Sequence, residues 1–178
     1  IPYLRDLGIT HVQLLPVAAF DEQDVPASVA EKELRNYWGY SPHSLCSPHP
    51  GYSRHRDLAS QTDEFRALVE ALHAADIGVI LDVVLNHTAE GGTQGPVINF
   101  KGLMPDVFYH HDEGVLRDYT GCGNTINCNH PLVTQTLLRA LEVWVEEYGV
   151  DGFRFDLASV FVRGEDGEPL ANPPFPAA

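Results

Sequence analysis

The sequence predicts an α/β fold built from βαβ units around a parallel sheet, on two observations. Short, almost wholly aliphatic stretches alternate with amphipathic helical ones, and the connections that follow the aliphatic stretches are long. Parallel strands are covered on both faces, so they read as continuous apolar runs rather than as alternating ones.

The elements follow in order. Residues 1–8 read as the last turns of a helix closing on Gly8. They lack an initiator Met, so the chain is expected to begin inside a fold, with any targeting signal outside it. Residues 9–17, rich in β-branched side chains and ending near Pro16, form the expected first strand. Between 62 and 75, Phe65, Leu68, Val69 and Leu72 recur at helical spacing. Thr62 is the expected N-cap, with Asp63 and Glu64 in the first turn. The second strand, 77–85, is aliphatic apart from Asp82 and is followed by Asn86-His87. A further helix starts at Pro131 and runs through Leu137, Leu141, Trp144, Val145 and Tyr148 to Gly149. It leads into the third strand, 150–156.

The two strand-to-helix connections, about 18–61 and 88–130, far exceed the roughly two to six residues usual for such loops. Both lie at the C-terminal ends of strands, where α/β folds bind ligands.

With 178 residues and 44% apolar content the chain suits one core. Its formal net charge of -14 argues against nucleic acid or an anionic membrane as partner and favours a neutral small molecule or polysaccharide. No apolar run approaches the roughly 20 residues that span a bilayer. Cys46, Cys122 and Cys128 are odd in number and form no C-x-x-C pair, so free thiols in a reducing, cytoplasmic compartment are expected.

Side chains alternate along a strand, so Gly152, Arg154 and Asp156 share one face while Phe153 and Phe155 share the face that packs on helices. A guanidinium two residues away favours the ionised form of Asp156, the form a nucleophile needs; a structural ion pair is the other reading. Asp82 is either a satisfied core carboxylate or a second inward polar group beside it. In Asn36-Tyr37-Trp38-Gly39-Tyr40 three aromatics surround a glycine, suiting either the C–H faces of sugars or a loop-anchoring mini-core. Gly121-Cys122-Gly123-Asn124-Thr125 lacks the Lys and strand-to-helix context of a phosphate loop. His110-His111-Asp112 is expected to be a solvated loop, because neighbours on an extended chain point apart.

Asp82-Val83-Val84-Leu85-Asn86-His87 and Gly152-Phe153-Arg154-Phe155-Asp156 resemble two signature segments of the α-amylase superfamily of glycoside hydrolases. The aromatic loop, Asn86-His87-Thr88-Ala89-Glu90-Gly91 and Gly121-Cys122-Gly123-Asn124-Thr125 resemble more narrowly its isoamylase and glycogen debranching branch. The resemblance implies a partial (β/α)8 TIM barrel, strands two to four. Residues 1–178 would be part of one catalytic domain with a loop insertion at about 88–130, truncated at both ends.

It further implies a retaining glycosidase acting on α-1,6 branch linkages of glycogen, amylopectin or limit dextrin. Asp156 would be the nucleophile and Arg154 its orienting partner. His87 would hydrogen-bond the glucose, Tyr40 would stack under it, Asp82 would support Arg154, and Asn86 would order the loop after its strand. The family's general acid, a Glu on the fifth strand, lies outside the chain, and Glu165 and Glu168 are not assigned its role, so the chain alone is expected to be inactive. Leu45-Cys46-Ser47 departs from the aromatics usual in relatives, which bears on outer subsites. No cofactor is implied. Relatives often bind calcium near the position of Asn86, but no oxygen-rich ligand set is apparent. The alternatives within the superfamily are a branching or trehalose-forming transglycosylase and a non-catalytic barrel relative.

Overall fold

The computed structural model describes residues 1–55 and 60–177. Part of the first long connection, 56–59, and residue 178 lie outside the described residues. The helices are α1 (Pro2–Asp6), α2 (Ala27–Ala30), α3 (Ser60–His73), α4 (Phe100–Leu103), α5 (Pro105–Phe108), α6 (Pro131–Glu146) and α7 (Pro174–Ala177). The strands are β1 (His11–Leu14), β2 (Gly78–Val83), β3 (His111–Asp112), β4 (Val115–Leu116) and β5 (Gly152–Phe155).

β1, β2 and β5 form one parallel sheet in the order β1-β2-β5, with α3 and α6 as the two crossovers. The α/β class and the parallel sheet are as expected. Paired strands are shorter than the aliphatic runs, because the ends of each run extend past their partners.

Val79, Leu81 and Val83 of β2 face the helices and are almost fully buried with Phe65, Val69 and Leu72 of α3 and Val133, Leu137 and Trp144 of α6. Phe65 meets Trp144 edge-on at 5.6 Å, so both helices cover the same face of the sheet. Burying each such side chain contributes roughly 1.5–3 kcal/mol.

Two local expectations change. α3 is already helical at Ser60, the first described residue after 56–59, so Thr62 lies within the helix instead of capping it. Phe153 packs against the core, but Phe155 is 36% exposed, on a strand that forms the edge of the sheet among the described residues. Phe155 instead lines an apolar groove of about 480 Å³ with Leu138, Leu141, Phe161 and Phe175. At α6 the sequence reading holds: Pro131 opens the helix, and the His130 ring accepts a hydrogen bond from the Leu132 N–H.

Candidate functional site

The register of the sheet sets Asp82 directly beside Arg154 and Val83 beside Phe155. Their polar side chains therefore emerge together on the face away from α3 and α6. Arg154 Nη1 donates to both Asp82 oxygens, at 2.8 and 2.9 Å, and to Asp156 Oδ1 at 3.1 Å. Tyr40, from the first long connection, donates its hydroxyl to Asp82 Oδ2 at 2.6 Å. Asn86 Nδ2 donates to Asp156 Oδ2 at 3.0 Å and to the Asp156 carbonyl at 2.9 Å.

The three differ in exposure: the side chain of Asp82 is 2% exposed, that of Asp156 22% and that of the bridging Arg154 43%. The hydrogen bond to Asp82 raises the Arg154 guanidinium further above its already high value. Burial, then the bond to Asp82, pushes the Tyr40 phenol up to about 12, so it stays a donor. Asp82 thus anchors the arginine from the buried side, and Asp156 contacts it from a partly exposed position. Just after it the backbone turns through a left-handed Leu157, at φ +43°, a conformation that costs a non-glycine residue about 1 kcal/mol.

His87 is only 4% exposed. Its Nε2 lies 2.8 Å from the Tyr40 carbonyl and its Nδ1 faces Asn86 Oδ1. Both partners are acceptors, and a neutral imidazole has one N–H, so only the protonated ring can satisfy both. Burial pushes its pKa down, opposed by the Tyr40 carbonyl and by the charges of Asp156, Asp24 and Asp118. All six residues singled out in the sequence, Tyr40, Asp82, Asn86, His87, Arg154 and Asp156, therefore meet in one network at the C-terminal ends of β2 and β5.

Sequence reading missed the support around it. Glu90 is fully buried and accepts from the Tyr109 hydroxyl and from the N–H groups of Ile98, Asn99 and Lys101. Burial pushes this carboxyl up, but those donors outweigh it and hold it below its ordinary value. Asn124 accepts from Thr88 N–H and donates to the carbonyls of Thr88 and Gly91, tying the second long connection to the end of β2. Asp118 gathers the N–H groups of Thr120, Gly121 and Gly123. In the first connection, Asp24 is bonded to Ser41 next to Tyr40. No periodicity marks these residues; isolated Asp, Asn and Glu among glycines were the only trace.

The donor set does not suit calcium. The Asn86 side-chain oxygen is turned to His87. Three backbone carbonyls of the second connection, those of Glu90, Gly92 and Gly95, already hold the Lys101 ammonium at 2.7, 2.6 and 3.1 Å. Among the described residues no group of three or more His, Cys, Asp or Glu is placed to hold a metal.

His110 departs from the solvated loop expected of it. His111 and Asp112 are exposed, but His110 is 2% exposed, packed edge-on against Tyr119 at 5.7 Å. Burial, reinforced by the charge of Arg163, pushes it down to about 4. The turn that pairs Tyr109 with Ile126 carries its ring inward, a tertiary effect that neighbour-by-neighbour reading cannot see.

The model of the family "Alpha amylase, catalytic domain" matches residues 1–94. A chloroplastic isoamylase 3 of Oryza sativa is 44% identical over 180 residues, covering 98% of this chain and 23% of the relative. A glycogen debranching enzyme of Salmonella dublin is 44% identical over 164 residues, covering 92% of this chain and 24% of the relative. Among solved structures, a pullulanase from Paenibacillus barengoltzii in complex with maltohexaose and alpha-cyclodextrin aligns with a TM-score of 0.75 and 33% identity, over 88% of this chain and 24% of that one. The chain spans about a quarter of the length of these relatives. On the family match, and with its strand-end motifs gathered in one network, the chain belongs to the alpha-amylase catalytic-domain family.

Proposed function

We propose that the whole protein carrying this chain hydrolyses α-1,6 branch linkages of glycogen- or amylopectin-type α-glucans, with retention at the anomeric carbon and Asp156 as nucleophile. The observation that carries the reading is one guanidinium nitrogen, Arg154 Nη1, shared between buried Asp82 and partly exposed Asp156 at the ends of adjacent strands. The names of the isoamylase and debranching relatives support the linkage.

In this reading an Asp156 oxygen bonds to the anomeric carbon as the bond to the leaving oxygen breaks, and a carboxylic acid beyond this chain protonates that oxygen. Water then cleaves the glycosyl ester with the same acid acting as base. Retaining pairs stand about 5 Å apart. Arg154 and Asn86 orient Asp156, and Asp82 and Tyr40 fix Arg154. Tyr40 also offers its ring to the glucose, and His87 exchanges its Tyr40 carbonyl contact for a sugar hydroxyl. These steps require no cofactor. The chain would supply strands two to four of an eight-stranded barrel, within one catalytic domain acting in the cytoplasm.

The test is reducing-end release from amylopectin by the whole protein, its Asp156→Asn variant and the 178-residue chain alone. Activity is expected only in the first. Glucosyl transfer without new reducing ends would replace the hydrolase reading with the transferase one, and an active 178-residue chain would refute the external acid.

A further inference from the structure

Residues 86–88 run on past the paired part of β2, and all three are buried, so their peptide groups need partners from outside the sheet. The partners come from one short stretch of the second long connection. Ile126 N–H donates to the Asn86 carbonyl at 2.9 Å, and Thr88 N–H donates to Asn124 Oδ1 at 3.0 Å. Because peptide units are planar, these two bonds fix the planes immediately before and immediately after His87. Asn124 Nδ2 spends both its hydrogens on the carbonyls of Thr88 and Gly91, at 2.9 and 3.0 Å.

Asn124 is fully buried, and its amide fits only one way round. A flip would set its NH2 against the Thr88 N–H and its oxygen against two carbonyls. The turn before it is equally fixed: Asp118 gathers its N–H groups, and Gly123, at φ +94°, lies so close to the chain that a Cβ there would stand 2.5 Å from the Gly92 nitrogen. A loop anchor needs only some bond to the strand end. Here the bonds fall on the planes that aim His87, whose own ring contacts are few. Its Nε2 lies 2.8 Å from the Tyr40 carbonyl, and its Nδ1 faces Asn86 Oδ1. Once a sugar hydroxyl takes the place of that carbonyl, the direction of the ring depends on Asn86 and on the backbone beneath it.

We propose that Asn124 is a positioning residue for the reaction: by holding the peptide plane after His87 it keeps the imidazole aimed at the sugar when the Tyr40 contact is given up. The proposal rests on the α-glucan reading of the site and extends it to a buried side chain that touches no substrate. Its effect on the sugar passes through His87.

The test is a double-mutant cycle in the whole protein, with Asn124→Ala, His87→Ala and the two combined. KM on amylopectin and maltohexaose affinity by calorimetry are read well below Tm. Asn124→Ala is expected to raise KM and to weaken maltohexaose about tenfold, as loss of an aimed sugar contact does. In the His87→Ala background the same substitution is expected to add less than about twofold, because the contact it aims is already gone. A merely structural asparagine gives another pattern: fewer folded molecules lower the apparent kcat and leave KM unchanged. That pattern, or equal factors in the two backgrounds, would overturn the proposal. If the wild type cleaves no branched glucan, the functional reading fails. The cycle on maltohexaose affinity then still decides Asn124, with absent binding or equal factors overturning it. Should Asn124→Ala not fold, Asn124→Asp, of the same shape but without the two donors in its ionised form, carries the same cycle under the same criterion.

Discussion

Two carboxylates at the ends of the sheet have opposite fates. Glu90, in the second long connection, is fully buried and saturated: a phenol and three backbone N–H groups point at it from within the same segment. Asp156, after β5, receives Arg154 and Asn86 and keeps an open side. A carboxylate that has used its acceptor capacity on its own chain is structure, whereas one held by two donors with lone pairs to spare is available for chemistry. The difference lies in how many donors arrive, not in residue type.

Substitutions should separate these fates. Asp156→Asn in the whole protein is expected to lower reducing-end release by more than about a thousandfold with little change in Tm, since the amide keeps the shape but not the nucleophile. A large loss of stability with it would make the pair with Arg154 a structural one. Glu90→Ala should do the reverse by orphaning its buried donors. We expect a loss of about 3–5 kcal/mol in denaturant unfolding, and faster amide exchange at 98–101.

Acidification tests the buried histidine of the same segment. Because His110 is pushed from 6.5 to about 4, its neutral form stabilises the fold fully above pH 6.5, and that contribution is lost as pH falls from 6.5 towards 4. The loss should reach about 2–3 kcal/mol and be flattened in His110→Phe. Arg163, whose charge also lowers it, and Asp166 and His111 beside it set the remainder. A pH profile identical in wild type and variant would remove His110 from the account. The smallest effect is Lys101→Met, about 1 kcal/mol by thermal unfolding, because this ammonium is only partly buried. A loss as large as that of Glu90→Ala would show the segment to depend on the cation as much as on the carboxylate.

The legibility of these regions follows from the range of their contacts. Arg154, Asp156 and Asp82 could be read because strand alternation is local and a lone charge in an aliphatic run stands out. The three sheet strands and α6 declared themselves the same way, through apolar runs and Pro131. Glu90 could not, since its donors sit eight to nineteen residues away across turns with no period. His110 was misread because its burial comes from pairing with residues near 126. Tyr37 and Trp38 stayed ambiguous in the sequence because sugar platforms and mini-cores share a composition; in the structure both side chains are exposed.

Lys101 carries a last consequence. Its ammonium fills a cage of three carbonyls from the end of a side chain, so its occupancy does not depend on the concentration of any dissolved ion. Dilution and chelators cannot strip it, and the order it brings to 90–101 arrives when the chain folds, without waiting for an ion to be supplied.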